Sequence, residues 1–294
     1  MEIKFINRTT NTIELEHPPG RKLLDFLYHN PFGKNVVLPV AKQKFITSWY
    51  GKMMDSPSST NKIKPFVDSL QIDMTESAKQ IDEFKTFNDF FYRELKPGAR
   101  PIQNGLVSPG DGRILAFENI SDVQHFFVKG KEFTLPHFLK NDVLAEKFNS
   151  ASMVILRLAP NDYHRYHFPY AGIASKSEKI EGVYYSVSPI SLKEKFSEVF
   201  TENKRELCHL TTENKGEILM LPVGATMVGS IHSTYTPETN VEKGQEMGYF
   251  AFGGSTIVLL FDSKAFKLDA DLLQNTKHNL ETYVRMGEQI GIEI

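Results

Sequence analysis

The chain has 294 residues, 40% of them apolar and 24% charged, a formal net charge of −2 and a single cysteine, Cys208. That composition fits a folded chain of one or two domains; it excludes an intramolecular disulfide and a Cys-rich zinc site and argues against a general nucleic-acid binder. The N-terminal stretch has no basic segment leading into an apolar h-region, and no uninterrupted apolar run reaches about 18 residues, so neither a signal peptide nor a membrane-spanning helix is expected, and a cytosolic protein is.

In chain order, "IKFINRTTNTIELE" reads as a hairpin or extended arm around a polar turn. Residues 21–95 are helical in character. Within them Phe45, Ile46, Trp49, Tyr50 and Met53 fall at helical spacing, and Arg21, Lys22, Lys34, Lys42, Lys44 and Lys52 outnumber Asp25 between residues 21 and 54. Such a basic amphipathic face lies either on the protein's own core or in the interface of an anionic bilayer. "DSPSSTNK" reads as a loop, and Asp73 with Glu76 has the spacing of a capping box opening a helix towards Phe84. After "ELKPGARPI" come short apolar runs separated by Gly, Asp, Asn and Pro: "GRILAF", "SMVILRL", "GVYYSV", "EILMLPVGATMVGSI" and "STIVLLF". The end, "LLQNTKHNLETYVRMGEQIG", reads as loop with a short helix or turn. The expectation is an α+β protein, with an N-terminal arm and helical region over 1–102 and a mainly antiparallel β core over 103–294.

Three segments could carry chemistry. "LAPNDYHRYHFPYAG" holds His164 and His167 in a rigid polar turn, where a positioned pair can serve as base and acid near neutral pH; the pair could equally be structural, and a metal would need a third ligand that no pattern supplies. "SPGDGRI" sets Asp111 between glycines, either as a turn aspartate or as the acid that orients a histidine. "FGGSTIVLLF" puts Gly253 and Gly254 before Ser255 at the mouth of an apolar strand. A glycine pair there can be a plain turn. Ser255 can instead attack the carbonyl of Gly254, turning the amide into an ester; β-elimination then frees the upstream chain and leaves dehydroalanine, which hydrolyses to a pyruvoyl group and ammonia. Gly229-Ser230 is a second junction of the same kind, so the dipeptide alone does not select the site.

Taken together, "FNDFFYRELKPGARPI", "SPGDGRI", "LAPNDYHRYHFP", "GVYYSVSP", "VGATMVGSI" and "KGQEMGYFAFGGSTIVLLF" resemble the phosphatidylserine decarboxylases, pyruvoyl-dependent enzymes that mature by cutting themselves. Their motif is commonly Leu-Gly-Ser-Thr, whereas Gly-Gly-Ser-Thr stands here at 253–256, a variant of one branch of the family. The resemblance implies cleavage at Gly254-Ser255 into a β chain of residues 1–254 and an α chain of residues 255–294. It implies His167 as the base that activates Ser255, Asp111 as the acid that orients His167, and His164 as the residue that returns a proton to the product carbon. It also implies a pyruvoyl cofactor made from Ser255, a Schiff base with phosphatidylserine, release of phosphatidylethanolamine and carbon dioxide, a homodimer, no metal, and docking through 21–54 on an anionic membrane surface at the cytoplasmic face. Competing readings are a pyruvoyl decarboxylase of a soluble amino acid, a hydrolase built on Asp111, His167 and Ser255, and a non-catalytic lipid-binding module.

Overall fold

The computed structural model describes residues 2–16, 18, 20–126, 133–225, 230–251, 253 and 255–294. The chain opens with a hairpin, β1 (Ile3–Asn7) and β2 (Thr12–Glu16), whose turn is closed by Asn7 Oδ1 accepting from the Thr9 amide at 3.0 Å. Helices α1 (Arg21–His29), α2 (Leu38–Ala41), α3 (Lys44–Met54), α4 (Ile63–Leu70) and α5 (Phe87–Phe91) follow. A π-helical turn over Gly33–Val37 packs back on α1, so closely that a Cβ at Gly33 would collide with the Phe26 carbonyl.

The β region holds β3 (Leu106–Val107) and β4 (Gly112–Phe117), then helices α6 (Ser121–Phe126), α7 (Leu135–Leu139) and α8 (Asp142–Lys147). Strands β5 (Ser152–Leu158), β6 (Arg165–His167), β7 (Gly172–Ala174) and β8 (Glu178–Ile180) lead to α9 (Pro189–Glu202), which Ser188 caps by accepting from the Ser191 amide. Next come β9 (Arg205–Thr211), β10 (Glu217–Gly224), β11 (Ile231–Ser233), β12 (Thr239–Val241), β13 (Glu246–Phe250) and β14 (Ser255–Phe261). The chain closes with β15 (Phe266–Leu268), α10 (Ala270–Lys277), β16 (Glu281–Val284) and β17 (Gln289–Glu293).

Among the described residues the main sheet runs β12-β7-β9-β10-β14-β5-β4-β16-β1-β2, with β8 on β9. Its pairings are antiparallel except β1 with β16. The expected mixed fold, N-terminal helices followed by a mostly antiparallel sheet, is the one observed, and the N-terminal hairpin joins that sheet through β16.

β14 lies between β10 and β5, in register with seven residues of each, and all its side chains are buried. Alternation sorts them: Val258 and Leu260 enter one core cluster with Leu219, Leu221 and Ile155, while Ile257, Leu259 and Phe261 enter another with Met220, Leu156 and Phe266. Burying each such side chain is worth about 1.5–3 kcal/mol, so both faces of the sheet hold β14 in place. A third cluster, with Met54, Ile63, Phe84, Phe87, Phe90 and Phe91, joins α3, α4 and α5.

Four expectations about local structure differ. Asp73 caps no helix; its carboxylate accepts from the Thr75 amide (2.8 Å) and hydroxyl (2.6 Å) in a turn, and the capping box forms instead at Gln80 and Glu83 around a single 3-10 turn. The stretch 57–62 is a 3-10 helix started by Pro57, not loop. "GVYYSV" is not a strand, because Asn203 occupies the Tyr185 backbone on both sides, accepting from its amide at 2.7 Å and donating to its carbonyl at 2.9 Å. The C-terminal stretch contains β16 and β17, short strands that pair far upstream with β4 and β1 and with β3, β17 also pairing with the nearby β15.

Candidate active site

Ser255 begins β14, opposite Gly224 of β10 and Leu158 of β5, and is fully buried. Gly253 reaches it with φ 136°, a conformation that L side chains resist. That conformation accounts physically for glycine at 253. Gly254, Gly229 and the flanking 226–228 lie outside the described residues. Ser230, the other candidate serine, is partly exposed at the entry to β11, where its carbonyl accepts from the Ala251 amide at 3.2 Å.

His164 is the residue in contact with Ser255, its Nδ1 3.2 Å from Oγ. Its Nε2 lies 3.0 Å from the Ala159 carbonyl, which can only accept, so Nε2 carries the proton and Nδ1 presents a lone pair to the serine hydroxyl. Phe91 of α5 stacks on the ring at a centroid distance of 3.9 Å, and the His164 carbonyl accepts from the Phe250 amide at 2.9 Å. Burial, with the neighbouring Arg93 charge, pushes the imidazole pKa down to about 3, so it is neutral at physiological pH.

His167, three residues on, has both ring nitrogens engaged elsewhere. Nδ1 donates to the Gly244 carbonyl at 3.0 Å and Nε2 accepts from the Tyr163 hydroxyl at 3.1 Å. Burial lowers its pKa, and the Gly244 bond with the negative charges of Glu246 and Asp111 acts in the other direction. The His167 amide donates to Pro109 at 2.8 Å, which ties this strand to the turn that carries Asp111. Asp111 itself does not bond His167: it accepts from Arg100 Nε at 2.9 Å and Nη2 at 2.6 Å and from the Met286 amide at 2.8 Å. Thus the turn, the two histidines and the serine are gathered at one place, with His164 rather than His167 on Ser255 and Arg100 rather than His167 on Asp111.

Beneath them runs a buried ionic network. Arg113 donates to Asp162 (2.5 Å), Arg157 to Glu16 (2.6 Å) and to Glu281 (2.5 Å). Burial raises the Asp162 pKa to about 6 against the pull of Arg113, and the Ala159 amide donates to the same carboxylate at 2.6 Å. Asp162 therefore braces the turn whose Ala159 carbonyl fixes the His164 tautomer. Residue patterns did not single out Arg100, Arg93, Phe91 or the Ala159 carbonyl; the first three sit inside "FNDFFYRELKPGARPI", where only the motif as a whole signalled them. Among the described residues no group of three His, Cys, Asp or Glu side chains is arranged to hold a metal ion.

The phosphatidylserine decarboxylase family profile matches residues 87–292. Relatives described as phosphatidylserine decarboxylase proenzymes include one from Fusobacterium nucleatum, 49% identical over 295 residues covering 99% of this chain and 98% of the relative. One from Clostridium perfringens is 48% identical over 292 residues, covering 98% and 99%, and one from Desulfitobacterium hafniense 43% identical over 293 residues, covering 99% and 98%. The chain belongs to the phosphatidylserine decarboxylase family.

Proposed function

We propose that the chain is a proenzyme that cuts itself at Gly254-Ser255, turns Ser255 into a pyruvoyl group, and decarboxylates phosphatidylserine to phosphatidylethanolamine at a membrane surface. The observation that carries this reading is the buried Ser255 hydroxyl at the head of a central strand, 3.2 Å from a neutral imidazole. The group fits the residues present. It is built from the atoms of residue 255 itself, and the adjoining Thr256 Oγ1 is buried with no hydrogen-bond partner among the described residues, an orphaned polar atom beside a new ketone. Once formed, that ketone supplies the electrophile for the substrate amine and the electron sink for loss of carbon dioxide.

The division of labour among the side chains rests on two kinds of support. The motif positions give the maturation relay to Asp111 and His167, and the Pro109 link and the pull of the Asp111 charge on His167 are consistent with it. In that reading His167 exchanges its Tyr163 partner for Ser255 during cutting. His164 already faces residue 255 and returns a proton to the product carbon. A second reading is favoured by the direct contact: His164 Nδ1 takes the Ser255 proton itself. Single variants separate the two. In the first reading His167→Ala leaves the chain uncut while His164→Ala is cut but turns over slowly; the opposite pattern, read by intact mass under denaturing conditions, establishes the second.

Membrane docking is assigned to the helices between residues 21 and 54. Phe32, Phe45 and Trp49 are 61, 65 and 62% exposed, and Leu23, Val36 and Val40 are exposed with them. Exposed Lys22, Lys34 and Lys52 stand among these side chains, whereas Lys42 is turned to the Tyr185 hydroxyl at 2.6 Å. Apolar side chains that enter the acyl boundary beside lysines that attract anionic head groups suit a peripheral protein; no helix among the described residues is long and apolar enough to cross a membrane. We place it at the cytoplasmic face and expect a homodimer, as the family resemblance implies. Activity on phosphatidylserine vesicles against free serine tests the lipid substrate, and a preference for free serine would support the soluble-substrate alternative.

A further inference from the structure

Arg93, Arg100 and Arg113 converge near His164; Arg100 is paired with Asp111 and Glu76 and Arg113 with Asp162 and Glu16, so among the described residues Arg93 is the one of the three without a carboxylate in ion-pair range. Asp111 is held by Arg100 through Nε and Nη2, and Asp162 by Arg113. Arg93 is 6% exposed and forms no ion pair among the described residues. Among the described residues its Nε is buried with no hydrogen-bond partner, and its Nη2 reaches only the Asn161 carbonyl, at 3.5 Å. The guanidinium lies over the Phe90 ring, 5.3 Å from the centroid. A buried, unpaired guanidinium is unfavourable unless something anionic completes it.

Arg93 stands beside the residues gathered around Ser255. Arg93 follows α5, whose Phe91 stacks on His164. Its bond to Asn161 lands on the same turn as the Ala159 carbonyl that holds His164, and His164 touches Ser255. The positive charge is felt at His164, where it helps keep the imidazole neutral.

We propose that Arg93 is a substrate-binding residue that receives the phosphodiester of the lipid head group. This rests on the phosphatidylserine reading above and adds to it the group that reads the phosphate. The head group carries two anions, and the chemistry distinguishes them. Negative charge leaves the carboxylate as carbon dioxide departs, so a cation there would hold the ground state more tightly than the transition state and slow the reaction. The phosphodiester keeps its charge throughout, and a cation on it strengthens substrate and transition state equally. A planar two-pronged donor matches that group, and the dry surroundings strengthen the attraction.

The test uses purified protein and two soluble probes, glycerophosphoethanolamine, which has the phosphodiester and amine but no carboxylate, and free serine, which has no phosphate. Arg93→Gln should still cut itself, raise KM for phosphatidylserine in vesicles roughly 10- to 100-fold with a smaller change in kcat, and lose inhibition by glycerophosphoethanolamine while inhibition by serine stays. Undiminished inhibition by glycerophosphoethanolamine, or loss confined to serine, overturns the proposal, as does a fall in kcat at unchanged KM. If Arg93→Gln does not fold, Arg93→Lys keeps charge and stem; it should show the same defects to a lesser degree because it lacks the fork, and wild-type behaviour in both assays overturns the assignment. Wild-type protein that releases no carbon dioxide from phosphatidylserine would sink the functional reading instead, whatever Arg93 does.

Discussion

The helices between residues 21 and 54 and the seam around Ser255 invert each other. The first leave Phe32, Phe45 and Trp49 in the open. The second buries Ser255, His164, Asp111 and Arg113 completely or nearly so. Both arrangements are costly for stability taken alone, since exposed aromatic surface gains nothing on folding and buried polar groups lose their water. In the function proposed here, each marks where the chain meets something else: a surface outside, a reaction inside. Phe91 bridges the two regions, belonging to the cluster under α3 and α4 while stacking on His164.

The contrast can be broken most severely at Ser255. Ser255→Ala should give a single uncut chain with no detectable decarboxylation; two fragments in that variant would remove residue 255 from its proposed place. Next in size are the histidines, where loss of a positioned acid or base lowers the step it serves by about 10²–10⁴-fold, read as fraction cut for one variant and turnover of cut protein for the other.

The buried seam also predicts how stability responds to acid. The folded-state pKa of His164, about 3, is below its unfolded value, so the unfolded chain binds the extra proton first. His164 then destabilises the fold progressively as pH falls from about 6.5 towards 3. Asp162 acts in the opposite sense: its folded pKa of about 6 is raised, so its contribution is favourable at low pH and is lost as pH rises from about 4 through 6. Denaturant melts of the uncut Ser255→Ala chain across this range should therefore change more steeply with pH when Asp162 is replaced by Asn than when it is present. An unchanged profile in a His164→Gln background would show that the imidazole is not buried neutral.

The smallest effects belong outside. Trp49→Glu and Phe45→Glu should each weaken binding to anionic vesicles, by about 1.5–3 kcal/mol for an aromatic fully withdrawn from the interface, and Lys34→Glu by about 1 kcal/mol or somewhat more. Self-cleavage in solution should be unaffected by any of them. Sedimentation with vesicles reads the first, intact mass the second, and a surface variant that fails to cut would tie the two regions together more closely than Phe91 does.

The legible parts of the sequence were those whose signal is local. "SMVILRL" and "STIVLLF" announce β5 and β14 because fully buried strands need unbroken apolar runs, and the Phe45–Met53 spacing announces α3. What escaped depends on distant partners. "ETYV" and "QIGIE" become strands because β4, β1 and β3, with the nearer β15, are there to pair with them; "GVYYSV" fails to become one because the Asn203 amide takes its backbone. The same distinction runs through part of the site. The motifs signalled Asp111, His164, His167 and Ser255, but the preference of Ser255 for His164 is set by packing between segments far apart in the chain, and that of Asp111 for Arg100, eleven residues upstream, by the path of the chain between them.

The central position of β14 has one more consequence. Of the α chain proposed here, β14 is clamped on both edges, β16 joins β4 and β1, and β17 joins β3. While the backbone is continuous, melting is a unimolecular event and these strands find their slots again at high effective concentration. After the cut, thermal unfolding sets two molecules adrift, one of them a 40-residue ribbon with exposed apolar strands. Maturation thus converts a protein that can recover from heat into one whose survival is governed by the rate at which it opens.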